Sequence, residues 1–163
     1  MPLRVESGIA AGHQEGSVGE VQKTLFVDDE VVSQVLAIVR EARQYAVIVT
    51  PFIKLWPHAQ DAIGLAVKNN INIAAIVRGD PDVVQSDDVS WLAGHGVKVL
   101  VVKGLHAKIY LNEHTVVLSS MNLTASSTTN SLETAFVVQD PQVERQVRDY
   151  VAGPLVNVVF PDY

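Results

Sequence analysis

The chain contains no cysteine. That excludes a disulfide framework and any thiolate-based metal or redox site, and it fits a reducing compartment, so a cytoplasmic protein is expected. No run approaches the ~20 apolar residues needed to cross a bilayer. The opening residues, Met1 to Gly8, have neither a basic leader nor an uninterrupted apolar core. A soluble protein with no stable membrane association is therefore expected. Positive charge is also scarce: 12 lysines and arginines face 18 acidic residues, for a formal net charge of -6. Nucleic-acid affinity rests largely on Lys and Arg displacing counterions from phosphates, so a surface that is basic all round is excluded. A local basic cleft is not, because Lys54, Arg78, Lys103 and Lys108 fall at or near the ends of expected strands and can converge there.

What is present is apolar sequence in periodic blocks. Hydrophobic residues make up 48% of the 163, which suits one compact domain with a substantial core. Residues 1–23 hold four glycines among polar residues and read as a loose N-terminal segment, with the single domain expected over 24–163. Phe26 to Glu30 is expected to open a helix running to about Tyr45, with its apolar stripe at Val32, Val35, Leu36 and Val39. Ala46 to Thr50 reads as a strand buried on both faces. A second helix is expected from Trp56 to Lys68, a second buried strand from Ile71 to Val77, and a turn at Arg78-Gly79-Asp80-Pro81. Ser86 caps a short helix ending at Gly94 or Gly96, and Val97 to Val102 forms a further strand. Leu132 to Val138 closes the set of strands, followed by a helix from Asp140-Pro141 to about Val151 and an apolar tail, Leu155 to Phe160, expected to pack back. This alternation predicts an α/β fold: a mixed, mostly parallel β-sheet flanked by helices on both faces.

The stretch most suited to chemistry is Leu105 to Thr124. Strict alternation predicts a strand that sends His106, Lys108 and Tyr110 to one side and Ala107, Ile109 and Leu111 to the other. Asn112-Glu113-His114 reads as a hairpin turn, after which Thr115 to Leu118 returns and delivers Ser119, Ser120 and Asn122 near the start of the first strand. One hairpin thus gathers a nucleophile, a cation and several hydrogen-bonding groups. The other histidines read differently: His13 lies in the loose segment, His95 between two glycines and His114 in the turn, and His58 lies in no matching motif.

These residues resemble the signature of the phospholipase D superfamily, His-x-Lys-x4-Asp followed by Gly-Ser-x-Asn and a downstream Glu. His106-Ala107-Lys108 matches the first element, Ser119-Ser120-Met121-Asn122 the second and Glu133 the third. The chain departs from the pattern at Glu113, which takes the place of the Asp, and at Ser119, which takes the place of the Gly. Both are expected to support the motif rather than react. The resemblance covers roughly Ala46 to Val138 and implies a metal-independent phosphodiesterase without a cofactor. His106 attacks phosphorus to give a phosphohistidine, Lys108, Ser120 and Asn122 hold the phosphoryl oxygens, and Glu133 accepts a hydrogen bond from a histidine ring.

One motif supplies one histidine, whereas the family mechanism uses two. A homodimer with both copies of His106 in one cleft resolves the shortage, since an isologous interface duplicates whatever lies on its axis. The small single-motif members that the chain resembles point to an endonuclease, with nucleic acid as substrate. The alternatives are a phospholipase or phosphatidyl transferase, and a non-catalytic domain of the same fold that binds nucleic acid or protein.

Overall fold

The computed structural model describes residues 22–155, so the expected tail beyond Leu155 and most of the expected loose segment lie outside the described residues. The chain begins with β1 (Leu25–Val27), α1 (Asp29–Arg40), β2 (Tyr45–Val49) and the two-residue β3 (Ile53–Lys54). Next come α2 (Pro57–Lys68), β4 (Asn72–Arg78), the single turn α3 (Pro81–Val84), α4 (Asp87–Gly94) and β5 (Lys98–Val102). The hairpin β6 (Ile109–Asn112) and β7 (Val116–Ser119) leads through β8 (Leu123–Thr124) and a 3-10 turn, Ala125–Thr128, to β9 (Thr134–Val137) and α5 (Pro141–Tyr150). A π-helical turn, Val151–Leu155, continues α5.

Seven strands form one sheet in the order β1-β9-β7-β6-β2-β4-β5, and β3 pairs with β8 in a separate ribbon. The sheet is mixed and flanked by helices, as the alternation predicts. Its balance of directions differs from the mostly parallel arrangement expected. Only β2–β4 and β4–β5 are parallel, while the other four ladders are antiparallel. The reason is connection length. Parallel neighbours need a crossover, supplied here by α2 and by α3 with α4, whereas β6 and β7 are joined by a tight turn that can only produce an antiparallel pair.

Two apolar layers enclose the sheet. On one side α1, α2 and α4 bury Val35, Ile63 and Leu92 in a cluster with Ile48, Ala75, Val77, Tyr110 and Val117. On the other side Val47, Val49, Ile76, Ile109 and Leu111 form a smaller cluster that includes Val151, with Val147 and Ala152 packed against it. Among the described residues α5 with its continuing turn is the only helix on that face. Arg148 ties it down: its guanidinium is buried, pairs with Glu144 at 2.7 Å and donates to the Tyr45 hydroxyl at 3.0 Å. A buried guanidinium is tolerated because a carboxylate and a hydroxyl replace water around it.

Two expected boundaries shift. Phe26 and Val27 belong to a strand, not to the start of a helix, because they pair with Ala135 and Thr134 of β9. Asp28, at φ 51, marks the break before α1. The helix also stops at Arg40 rather than near Tyr45. The amides of Arg43 and Tyr45 are given to the Glu113 side chain, so they cannot continue a helical ladder, and Tyr45 is already in β2.

Candidate active site

The hairpin projects its polar residues from one end of β6 and β7. Regular strand pairing begins at Ile109, later than expected, although one further bond, Ser119 N–H to Lys108 C=O at 3.2 Å, continues the ladder toward His106. His106 is exposed, and its Nδ1 lies 3.3 Å from Lys108 Nζ. The expected alternation holds on the buried side, where Ile109 and Leu111 enter the smaller cluster while Tyr110 enters the larger one. Tyr110 is therefore not a pocket-facing hydroxyl. It is fully buried, and its hydroxyl donates to the Met121 carbonyl at 2.7 Å. Burial pushes the phenol well above its ordinary value, and the nearby Glu133 carboxylate adds to the effect, so the hydroxyl stays protonated as a donor. This bond clamps the segment carrying Ser119, Ser120 and Asn122 onto β6.

The two serines have structural partners. Ser119, where the family has Gly, donates from Oγ to the Thr134 carbonyl at 2.7 Å and accepts from the Met121 amide at 3.0 Å. A side chain here is thus tolerated because it bridges β7 to β9. Ser120 Oγ donates to the Glu133 carboxylate and accepts from the Thr134 amide at 3.0 Å, while its own amide bonds to the Thr134 carbonyl. Within the chain the Ser120 hydroxyl thus joins Glu133 to the start of β9. Glu133 sits immediately before β9, and the β7–β9 pairing of Ser119 with Ala135 fixes its place beside Ser120.

Asn122 is half-buried, and its Oδ1 has no hydrogen-bond partner. A buried acceptor without a donor costs roughly 1–3 kcal/mol, which marks a place where a ligand or a second molecule can bring one. Asn122 is positioned from the other side by Thr50, a buried residue outside the motif. Its Oγ1 accepts from the Leu123 amide at 3.1 Å and donates to the Phe52 carbonyl at 2.8 Å. The only sequence signal was a threonine ending an otherwise apolar strand just before Pro51.

Glu113 lies at the other end of the hairpin and does not touch the site. Its carboxylate accepts from the Arg43 amide and from the Tyr45 amide at 3.3 Å, pinning the β6–β7 turn to the start of β2. Burial alone would raise its pKa, but these main-chain amides outweigh burial and hold it below the ordinary value of 4.5. The substitution of Glu for the family's Asp is thus absorbed in a supporting contact. His114, in the same turn, is exposed and lies 3.3 Å from Glu113. His95 stacks on Trp91 and bonds its carbonyl at the end of α4. Of the cations expected to form a basic cleft, Arg78 lies 2.6 Å from Asp80, which offsets its charge, whereas exposed Lys54 approaches Asp88 only to 3.7 Å. Among the described residues no three His, Asp or Glu side chains converge as a metal-binding group.

A mixed sheet with an exposed His-x-Lys pair, a Ser-Ser-x-Asn turn and a Glu at the start of the neighbouring strand defines a phospholipase D-like domain. The family model described as "Cardiolipin synthase, PLD-like domain" matches residues 35–153, and the chain belongs to this family. No curated protein matches it in sequence. Among solved structures the fold is similar to Nuc, a phospholipase D family member from Salmonella typhimurium, with TM-score 0.65 and 16% identity over 78% of this chain and 90% of that one. NucT from Helicobacter pylori matches with TM-score 0.63 and 16% identity, covering 78% and 91%. Phosphatidylserine synthase from Haemophilus influenzae matches with TM-score 0.59 and 14% identity, covering 78% of this chain but 37% of that one.

Proposed function

We propose that this protein is a metal-independent phosphodiesterase that cleaves nucleic acid through a phosphohistidine intermediate, in a cleft completed by a second copy of the chain. The observation carrying this reading is the exposed His106 beside Lys108, 3.3 Å apart, at the end of a hairpin whose supporting contacts are otherwise satisfied. An unprotonated ring nitrogen of His106 attacks phosphorus, and the P–N bond forms as the P–O bond to the leaving alcohol breaks. The His106 of the second copy, protonated, gives its proton to the departing oxygen, then takes one from water as that water displaces the first imidazole. Lys108 and Asn122 stabilise the phosphoryl oxygens as negative charge gathers there. Glu133, aligned by Ser120, supplies negative charge to a ring N–H that the second copy brings.

Nucleic acid is preferred over lipid because the fold is similar to Nuc and NucT over 90% and 91% of those chains, with TM-scores of 0.65 and 0.63, against 0.59 for the phosphatidylserine synthase. The family description keeps a phosphatidyl transferase as a second reading. The test is cleavage of labelled single- and double-stranded DNA, and of phosphatidylglycerol vesicles, in excess EDTA, with sedimentation at the same concentrations. DNA cleavage by a dimer, abolished in His106→Ala, supports the proposal. Turnover of lipid alone, activity that requires a divalent cation, or full activity in a monomer overturns it.

A further inference from the structure

We propose that Phe52 and Arg78 form a stacking platform for an unpaired nucleobase flanking the reacting phosphate, a subsite that rests on the reading of the protein as a nuclease. The small β3–β8 ribbon brings this surface to the catalytic hairpin. Its register pairs Ile53 with Leu123 and Lys54 with Thr124, so one residue back along both strands Phe52 comes beside Asn122. Alternation buries Ile53, Leu55 and Leu123 and leaves Phe52 on the open side, with 40% of its surface exposed.

Arg78 completes the surface. Its guanidinium carbon lies 5.8 Å from the centre of the Phe52 ring. Three contacts hold the pair ready before any ligand arrives. The Arg78 amide bonds to the Pro51 carbonyl at 3.2 Å, the Thr50 hydroxyl holds the Phe52 carbonyl at 2.8 Å, and Asp80 lies 2.6 Å from Arg78 Nε. Because Asp80 offsets the charge of the guanidinium that lies over the Phe52 ring, the pair offers aromatic and cation–π surface with little net charge, which suits the π-face of a base better than a bare phosphate. Lys54 lies two residues further along the ribbon on the same face, is 73% exposed, and has only a loose contact of 3.7 Å with Asp88. It supplies the cation that a neighbouring backbone phosphate needs. The ring and guanidinium would thus take a base, and the lysine a phosphate of the same strand.

The test is binding by His106→Ala protein, which separates recognition from turnover, followed by fluorescence anisotropy. The probes are a labelled oligothymidylate, an abasic oligomer of the same length, and vesicles of phosphatidylglycerol and cardiolipin. The base-bearing strand is expected to bind about tenfold tighter than the abasic one. Phe52→Ala and Phe52→Leu in that background should remove the difference without weakening the abasic strand, and Phe52→Trp should restore it. The leucine variant keeps apolar bulk, so a packing defect is distinguished from lost stacking. Equal weakening of both oligomers, no change in either, no binding of either, or an effect confined to vesicles overturns the platform. Base-dependent binding without DNA cleavage by the unaltered protein keeps the platform and sinks the nuclease reading. Cleavage indifferent to Phe52 does the reverse.

Discussion

Strand β2 and the β6–β7 hairpin lie side by side in the same sheet, yet they are stabilised in different ways. All five residues of β2 are buried, and their side chains enter one apolar cluster or the other, apart from the Tyr45 hydroxyl. Any apolar side chain of the right volume would serve there. In and around the hairpin nearly every polar group instead meets one named partner: Tyr110 with Met121, Ser119 with Thr134, Ser120 with Glu133, Glu113 with Arg43 and Tyr45, Asn112 with the Ile38 carbonyl. The open groups are Asn122, with its unpartnered oxygen, and His106, exposed and meeting only the Lys108 ammonium, and both are among the residues assigned to chemistry. A rigid apolar half can thus hold a polar half in place while leaving a few groups available to substrate.

The sharpest break in this comparison comes from His106→Ala. It should abolish phosphodiester cleavage in EDTA by at least about a thousandfold, some 4 kcal/mol in the barrier, while thermal unfolding is unchanged because the ring is exposed. Ile76→Ala, on the buried strand beside β2, should do the opposite. A fully buried isoleucine truncated to alanine costs about 2–5 kcal/mol of stability, read as a lower urea midpoint with little effect on kcat below the transition. Tyr110→Phe falls between the two. Losing the donor to the Met121 carbonyl should cost about 1–3 kcal/mol and also lower kcat, since the freed segment carries Asn122. If stability falls and kcat does not, the clamp has no part in positioning.

Glu113→Gln gives the smallest expected effect. Its carboxylate pKa is lowered in the folded state, so ionised Glu113 contributes stability that is present above the unfolded value near 4.5 and is lost as pH falls through the folded value. The unaltered protein should therefore exceed the variant in stability by about 1 kcal/mol or less at pH 7. The gap should narrow below pH 4.5, as read by unfolding at both pH values. A gap independent of pH would mean that shape, not charge, pins the turn.

Much of this was legible beforehand because of periodicity. The apolar runs at 46–50 and 71–77 and the stripes of α1 and α2 are visible as spacing alone, and β2, α2, β4, α4 and β5 lie within a few residues of where that spacing sets them, whereas β1, β3 and β8 carry no such pattern. The site was legible as a motif: His106, Lys108, Asn122 and Glu133 are recognisable by type and interval. The partners of those residues were not. Nothing in the local pattern joins Ser120 to Glu133 and Thr134, or Thr50 to the Leu123 amide some seventy residues away. Hydrogen-bond partners across such separations depend on how strands order themselves in the sheet, which local pattern does not encode.

The sequence by itself determined the class of fold, the buried faces and the identity of the chemical groups, because burial follows apolar periodicity and chemistry follows residue type. Tertiary structure alone decided the directions of the strands, the seating of β1 at the sheet edge and the β3–β8 ribbon that pairs Ile53 with Leu123. It also decided which polar groups are engaged and which stay open. The physical reason is that a polar group's role depends on whether a complementary donor or acceptor lies about 3 Å away, and in this chain that neighbour usually comes from a distant strand.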